Sequence, residues 1–161
     1  MQNSYRVRLA KEQFTFCAAH FITYAGNICE PLHGHNYTVS AEFTGPLDEN
    51  QYVVDFIAAR DALMAITSGL DHRMLLPTSH PTIAVVADDR EVTVTFEDRR
   101  WVFPKGDCVL LPVSNTTAEL LAHHIGEQLL ASLAEQGFAP ARLEVAVDEC
   151  QGQQGVCVWD A

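Results

Sequence analysis

Phe14-Thr15-Phe16-Cys17-Ala18-Ala19-His20 and, a loop later, His33-Gly34-His35-Asn36-Tyr37-Thr38-Val39-Ser40-Ala41-Glu42-Phe43 decide how this chain is read. In the first run Phe14, Phe16 and Ala18 alternate with polar or small neighbours, and the same phase ends on His20, the pattern of a strand with one buried face. It predicts a strand over 5–18 that delivers His20. The second run predicts a strand over 36–44, with Tyr37, Val39, Ala41 and Phe43 on one face and Gly45-Pro46 at its end. Gly26, Asn27 and Pro31 make the stretch between them a loop.

Histidines two apart on a strand project from one face, so His33 and His35 aim the same way. His20 ends the preceding strand in the phase of its inward residues. If the two strands pair as antiparallel neighbours, three imidazoles converge on one point. Three neutral nitrogen ligands with a fourth position open is the pattern of catalytic zinc, where the metal polarises a substrate oxygen or acidifies a hydroxyl. The plainer alternative makes each histidine a hydrogen-bonded core or surface residue, since a His-x-His pair alone recurs by chance.

Working outward, Asp55 is placed to cap a helix over FIAARDALMAI, with Gly69 to close it. Thr116-Thr117-Ala118-Glu119 reads as a Thr-x-x-Glu capping box ahead of the stripe Leu121, Ile125, Leu129 and Leu133, and Gly137 ends that second helix. RLEVAVDE and VCVWDA predict a closing pair of strands joined through QGQQG. Between the helices, residues 78–113 read as an inserted hairpin with a further short strand at CVLL. The order predicts an α+β fold with an antiparallel sheet, and the 161 residues read as one domain, 1–161.

Composition narrows the function classes. A formal net charge of -11 with ten Lys and Arg argues against nucleic acid, which needs a basic surface, but leaves room for a small phosphorylated ligand. No apolar run approaches a membrane span, and the N-terminal MQNSYRVRLAKEQF lacks the apolar core of a signal peptide, so a cytoplasmic location is expected. Five scattered cysteines without a Cys-x-x-Cys pair fit that compartment and argue against a disulfide framework.

Several further residues are candidates for chemistry. Cys29, four residues before His33, is either a base or nucleophile or a semi-buried apolar cysteine. Asp71-His72 is either a proton relay or a pair whose side chains face apart. Glu149 ends a mostly apolar strand, where a carboxylate is costly unless paired. It is either a two-bond acceptor for a guanidine-like ring edge or a solvated strand end. His80, His123 and His124 read as surface residues.

FCAAHF, CEPLHGHNY, YVVDF, LDH, NTTAE and VDE occur here in the order seen in the 6-pyruvoyltetrahydropterin and 6-carboxytetrahydropterin synthase family, which the chain resembles over nearly its whole length except 78–113. The resemblance implies a tunnelling fold (T-fold): an antiparallel sheet with two helices on one face, subunits joining sheets into an oligomeric β-barrel, commonly a homohexamer built as a dimer of trimers, with active sites between subunits. It implies His20, His33 and His35 as zinc ligands, Cys29 as general base, and Asp71 with His72 as relay. Glu149 would anchor the pterin ring beside Thr116 and Thr117.

The implied substrate is 7,8-dihydroneopterin triphosphate. The Cys-x-x-x-His-Gly-His spacing resembles the 6-carboxytetrahydropterin synthases of queuosine biosynthesis, lyases that release triphosphate and acetaldehyde. Glu30-Pro31-Leu32-His33 also fits the Glu-x-x-His-Gly-His form of a folate-linked branch that makes 6-hydroxymethyl-7,8-dihydropterin, so Glu30 is a second acid–base candidate and a dual enzyme an alternative. A 6-pyruvoyltetrahydropterin synthase and a non-catalytic pterin- or purine-binding module are further alternatives. Against the family's usual pattern, Thr-Thr-Ala-Glu stands for Thr-Thr/Ser-Glu-Asn, and Met74 stands for Asn. Arg73 and Lys105 are candidates for the triphosphate.

Overall fold

The alternating runs form strands, with one break the pattern concealed. In the computed structural model, which describes residues 3–161, the predicted 5–18 strand is two strands, β1 (Tyr5–Leu9) and β2 (Thr15–His20). Both pair antiparallel with a long strand, β5 (His33–Gly45): Leu9 lies opposite Ala41, and Thr15 opposite Thr38. The five residues 10–14 thus face only Val39 and Ser40. The turn between the strands, closed by Phe14 N–H donating to the Lys11 carbonyl at 3.0 Å, puts Lys11-Glu12-Gln13 in solvent while Leu9 and Phe14 stay buried. Two short strands, β3 (Thr23–Tyr24) and β4 (Ile28–Cys29), form a small ladder inside the predicted loop.

Helix α1 (Phe56–Leu70) starts where Asp55 accepts from the amides of Ile57 and Ala58 at 2.7 and 3.2 Å. It ends one residue beyond Gly69. The left-handed residue that turns the chain is His72, at φ 56°. Strand β6 (Arg73–Pro77) follows, then β7 (Ala84–Ala87), β8 (Glu91–Phe96) and β9 (Arg99–Pro104), then β10 (Cys108–Leu111). Helix α2 (Ala118–Glu135) precedes β11 (Arg142–Cys150) and β12 (Gln153–Asp160).

The main sheet runs β10-β6-β2-β5-β11-β12, with β1 also on β5. It is mixed, where the sequence predicted an antiparallel sheet: β6 pairs parallel with both β2 and β10. Parallel neighbours need long crossovers, and α1 and residues 78–107 supply the length that a hairpin turn lacks. The predicted inserted hairpin is a three-stranded antiparallel sheet, β7-β8-β9, and CVLL leaves it to join the main sheet as β10. Among the described residues the sheet stays open, so no barrel closes within one chain.

Both helices pack on one face, over a core that includes Phe14, Phe16, Tyr37, Leu63, Ile125 and Val145. Part of the other face, at the end of β2 and along β6, is covered by β7-β8-β9 through Phe21, Met74, Leu76, Val92, Val94 and Phe96, while Cys17, Asn36 and Thr38 on that face stay exposed. Close approach of α2 to β12 depends on Gly126, where an added Cβ would meet the Trp159 ring at 2.0 Å. Gly126→Ala therefore destabilises the protein by about 1–3 kcal/mol through overpacking. Helix propensity alone, which favours Ala over Gly by about 1 kcal/mol, gives the opposite sign. Urea denaturation decides between them.

Candidate metal centre and adjoining cleft

The β2–β5 register places His20 opposite His33 and Ala18 opposite His35, so all three imidazoles stand on one face at the end of the strand pair. Ring centroids are 4.8 Å apart for His20–His33, 5.2 Å for His20–His35 and 4.8 Å for His33–His35. One nitrogen from each lies within 4.8 Å of the others. Two rings are oriented by the backbone, His20 Nδ1–H donating to the Thr116 carbonyl and His33 Nδ1–H to that of Pro31, both at 2.9 Å. Donation from Nδ1 leaves Nε2 as the free lone pair.

His20 Nε2 is buried without a hydrogen-bond partner, an expensive condition for a polar atom. Burial pushes the His20 pKa down to about 4, so the ring is neutral at pH 7. A neutral, oriented and unpaired nitrogen beside two others is what a metal ion requires, and these three residues can hold one.

Two carboxylates flank the cluster. Glu149 Oε1 lies 4.0 Å from His20 Nε2, and Glu30 Oε2 lies 3.9 Å from His33 Nε2. Burial raises the Glu149 pKa above the usual carboxylate range, against the lowering effect of His35. Glu149 also lines a cleft of about 340 Å³ with Ile22, Thr117, Glu119, Gln154 and Gly155. The cleft exists because β12 passes close to the start of α2. A Cβ on Gly155 would sit 2.4 Å from the Ala118 carbonyl carbon and Glu119 nitrogen.

Thr117, rather than Thr116, caps α2, its hydroxyl accepting from Leu120 N–H at 3.5 Å, so the cap falls one residue later than the spacing suggested and, with Leu120 at the third helical position, the reciprocal Thr-x-x-Glu box is not formed. Thr116 is fully buried behind the cleft. Its hydroxyl donates to the Phe21 carbonyl, and its own carbonyl holds His20.

Cys29 is outside the three-nitrogen cluster. It packs among Phe21 and Met74 on the β7-β8-β9 side, and its thiol, pushed up in pKa by burial, donates to the Glu30 carbonyl at 3.5 Å. Asp71 and His72 are joined at 2.8 Å, and Cys17 N–H donates to Asp71 at 2.7 Å, which together hold this carboxyl below its ordinary pKa. They are not brought to the histidines. His72 opens on a concavity lined by Cys17, Ala19 and Gly34, positions whose phase faces away from His20, His33 and His35. Arg73, bonded to the Gly106 carbonyl, lies on that same surface, and Lys105 immediately precedes Gly106.

Two residues escaped the sequence reading. Tyr37 carries a buried, unpartnered hydroxyl, its ring 5.5 Å from His35; burial first, then Glu149 and Glu30, raise its pKa and keep it protonated. Its alternation with Val39 marked it only as core. Arg99, inside the predicted hairpin region, donates to the Cys29 carbonyl at 2.9 Å.

The sequence profile of the family described as 6-pyruvoyl tetrahydropterin synthase matches residues 9–157. A Methanocaldococcus jannaschii protein provisionally named 6-carboxy-5,6,7,8-tetrahydropterin synthase is 31% identical over 144 residues, covering 88% of this chain and 87% of that protein. The crystal structure of Plasmodium vivax 6-pyruvoyl tetrahydropterin synthase superposes with a TM-score of 0.90 at 27% identity, covering 99% of this chain and 100% of that one. A second structure of the P. vivax protein is of a variant in which a catalytic glutamate is replaced by alanine.

Metal titration of chelator-treated protein should give one equivalent of divalent ion per chain. Replacing His20, His33 or His35 with Ala should lower affinity by more than the roughly 10–100-fold typical of losing an outer-shell partner. Equilibrium dialysis with elemental analysis measures both.

Proposed function

Because this chain belongs to the 6-pyruvoyl tetrahydropterin synthase family, we propose that it is a zinc-dependent lyase of the 6-carboxytetrahydropterin synthase type, converting 7,8-dihydroneopterin triphosphate to 6-carboxy-5,6,7,8-tetrahydropterin with loss of triphosphate and acetaldehyde. The observation that carries the reading is the three-imidazole cluster, with its buried unpaired His20 Nε2, opening beside a cleft that contains Glu149. The name of the M. jannaschii relative favours this product.

In this reading a bound zinc ion supplies a Lewis acid that acidifies a side-chain hydroxyl of the substrate. Glu149 accepts two N–H bonds from the pterin ring edge, and Thr117 borders the same cleft. Glu30 and Cys29 move protons at the substrate side chain, Glu30 from its position beside His33. Tyr37, protonated, offers a hydrogen bond to an oxygen held at the cluster.

A second reading, the hydroxymethyl-forming or dual branch, is favoured by Glu30 lying 3.9 Å from His33 while Cys29 packs away from the cluster, and by the catalytic glutamate of the P. vivax protein. Incubation of zinc-loaded protein with dihydroneopterin triphosphate, followed by mass spectrometry, separates the products. No consumption of substrate would sink both readings. If the branches use separate acids, Glu30→Ala removes only 6-hydroxymethyl-7,8-dihydropterin, and equal loss of both products rejects that division.

The relay pair faces away from its own chain's cluster, which supports an active site shared between copies, in a homo-oligomer such as a hexamer of two trimers. Cys29→Ala and His72→Ala variants, each inactive alone, should regain about a quarter of wild-type activity when unfolded and refolded together, by random pairing of subunits. Failure to recover any activity in demonstrably mixed oligomers would place the relay within one chain.

A further inference from the structure

The loop that carries Cys29 and Glu30 has little support of its own. Its ladder, β3 with β4, is two residues long on each side, far short of what a lone hairpin needs to hold its shape. One internal bond, Glu30 N–H to the Ile22 carbonyl at 2.9 Å, ties its end to the segment after β2.

At the β3 side of the loop Asn115 donates to the Thr23 carbonyl at 3.0 Å, and the backbone carbonyls of Cys29 and Glu30 are reached from the β7-β8-β9 side. Arg99, the first residue of β9, donates from Nη1 to the Cys29 carbonyl at 2.9 Å and from Nη2 to the Glu30 carbonyl at 3.4 Å. Its guanidinium lies 4.7 Å over the Trp101 ring, which stacks on Phe21 at 4.6 Å, and Phe21 directly follows His20. At the other end of the loop, Asn27 donates to Glu97 at 3.2 Å and accepts from the Thr82 hydroxyl at 3.1 Å. Residues 27–30 are therefore gripped at both ends, by Arg99 and by Glu97 in the β8–β9 turn together with Thr82 just ahead of β7, and both backbone polar groups of Glu30 are spoken for.

We propose that the β7-β8-β9 sheet is a clamp on the Cys29–Glu30 loop, with Arg99 as the positioning residue that holds the Glu30 carboxylate and the Cys29 thiol in place relative to the three histidines. A planar fork matches two consecutive carbonyls and lies flat on an indole, whereas a lysine reaches one carbonyl as a point charge. The consequence for turnover rests on the lyase reading above, but the clamp itself is measurable without it.

The test combines hydrogen exchange with kinetics on zinc-loaded protein. In Arg99→Ala the amides of Ile28–Glu30 should exchange at least about tenfold faster, while those of β2 and β5 keep wild-type protection. Zinc stoichiometry stays at the wild-type value, kcat falls about 10–100-fold, and KM changes less than about twofold, because loosened acid–base groups cost rate rather than binding. Arg99→Lys should lie between wild type and Arg99→Ala in both readouts. Asn27→Ala, which releases the other end, should speed the same amides and serves if Arg99→Ala does not fold.

Unchanged exchange in the loop overturns the clamp. Faster exchange with unchanged kcat overturns the positioning role, as does a kcat loss explained by lost zinc. Wild-type protein that leaves dihydroneopterin triphosphate untouched overturns the lyase reading instead, and with it the kinetic arm, while the exchange arm still decides the clamp.

Discussion

The antiparallel pairing of β2 with β5 sets everything else in the molecule, because its register decides which side chains share a face. Phe16 lies opposite Tyr37, with their rings stacked at 4.7 Å; Ala18 lies opposite His35, and His20 opposite His33. All six have the same phase. A slip of one residue would turn His33 and His35 to the opposite face and at the same time expel Tyr37 from the core. The hydrophobic end of the strand pair therefore holds the polar end in place: burial of Phe16 and Tyr37 makes the histidine geometry a by-product of packing. Gly34 lets the strands close, since a Cβ there would already sit 3.0 Å from the Ala18 carbonyl oxygen.

The second constraint is the tie between the end of β2 and the entrance to α2. Thr116 gives its hydroxyl to the Phe21 carbonyl and its carbonyl to His20. Through it, the helix start that walls the cleft is fixed to the same residue that anchors the cluster. Glu149, Thr117 and Glu119 are thus held beside the histidines by backbone geometry, with little left to flexible side chains. A centre built this way is pre-organised, because its buried donors and acceptors are oriented before any ligand arrives.

The two faces of the sheet divide the remaining work. The helices seal one face and deliver the cleft. The β7-β8-β9 sheet covers one end of the other and takes up Cys29, leaving Glu30 at the boundary between the two cores, near His33. Asp71 and His72 stand on the outer surface with Cys17 and Ala19, directed away from the chain's own cluster. The proposed sharing of an active site between copies would bring the two groups together, and the open sheet, with β10 and β12 at its edges, has unpaired strands to offer.

Much of this was legible in the residues. Alternation in phase with His20 and the two-residue spacing of His33 and His35 were enough to predict one convergent cluster, because side-chain direction on a strand is fixed by position alone. The caps at Asp55 and Gly137, and the stripe from Leu121 to Leu133, likewise act over a few residues and were readable locally. What the sequence left undecided depends on contacts between distant segments. Parallel entry of β6 and β10 is a matter of crossover path. The transfer of the helix cap from Thr116 to Thr117 follows from a hydrogen bond to Phe21, some ninety residues away. The grip of Arg99 on Cys29 joins positions seventy residues apart. The sequence by itself determined which residues could form a metal centre; only the tertiary structure decided what surrounds it, because burial, orphaned polar atoms and opposing faces exist only once remote strands have paired.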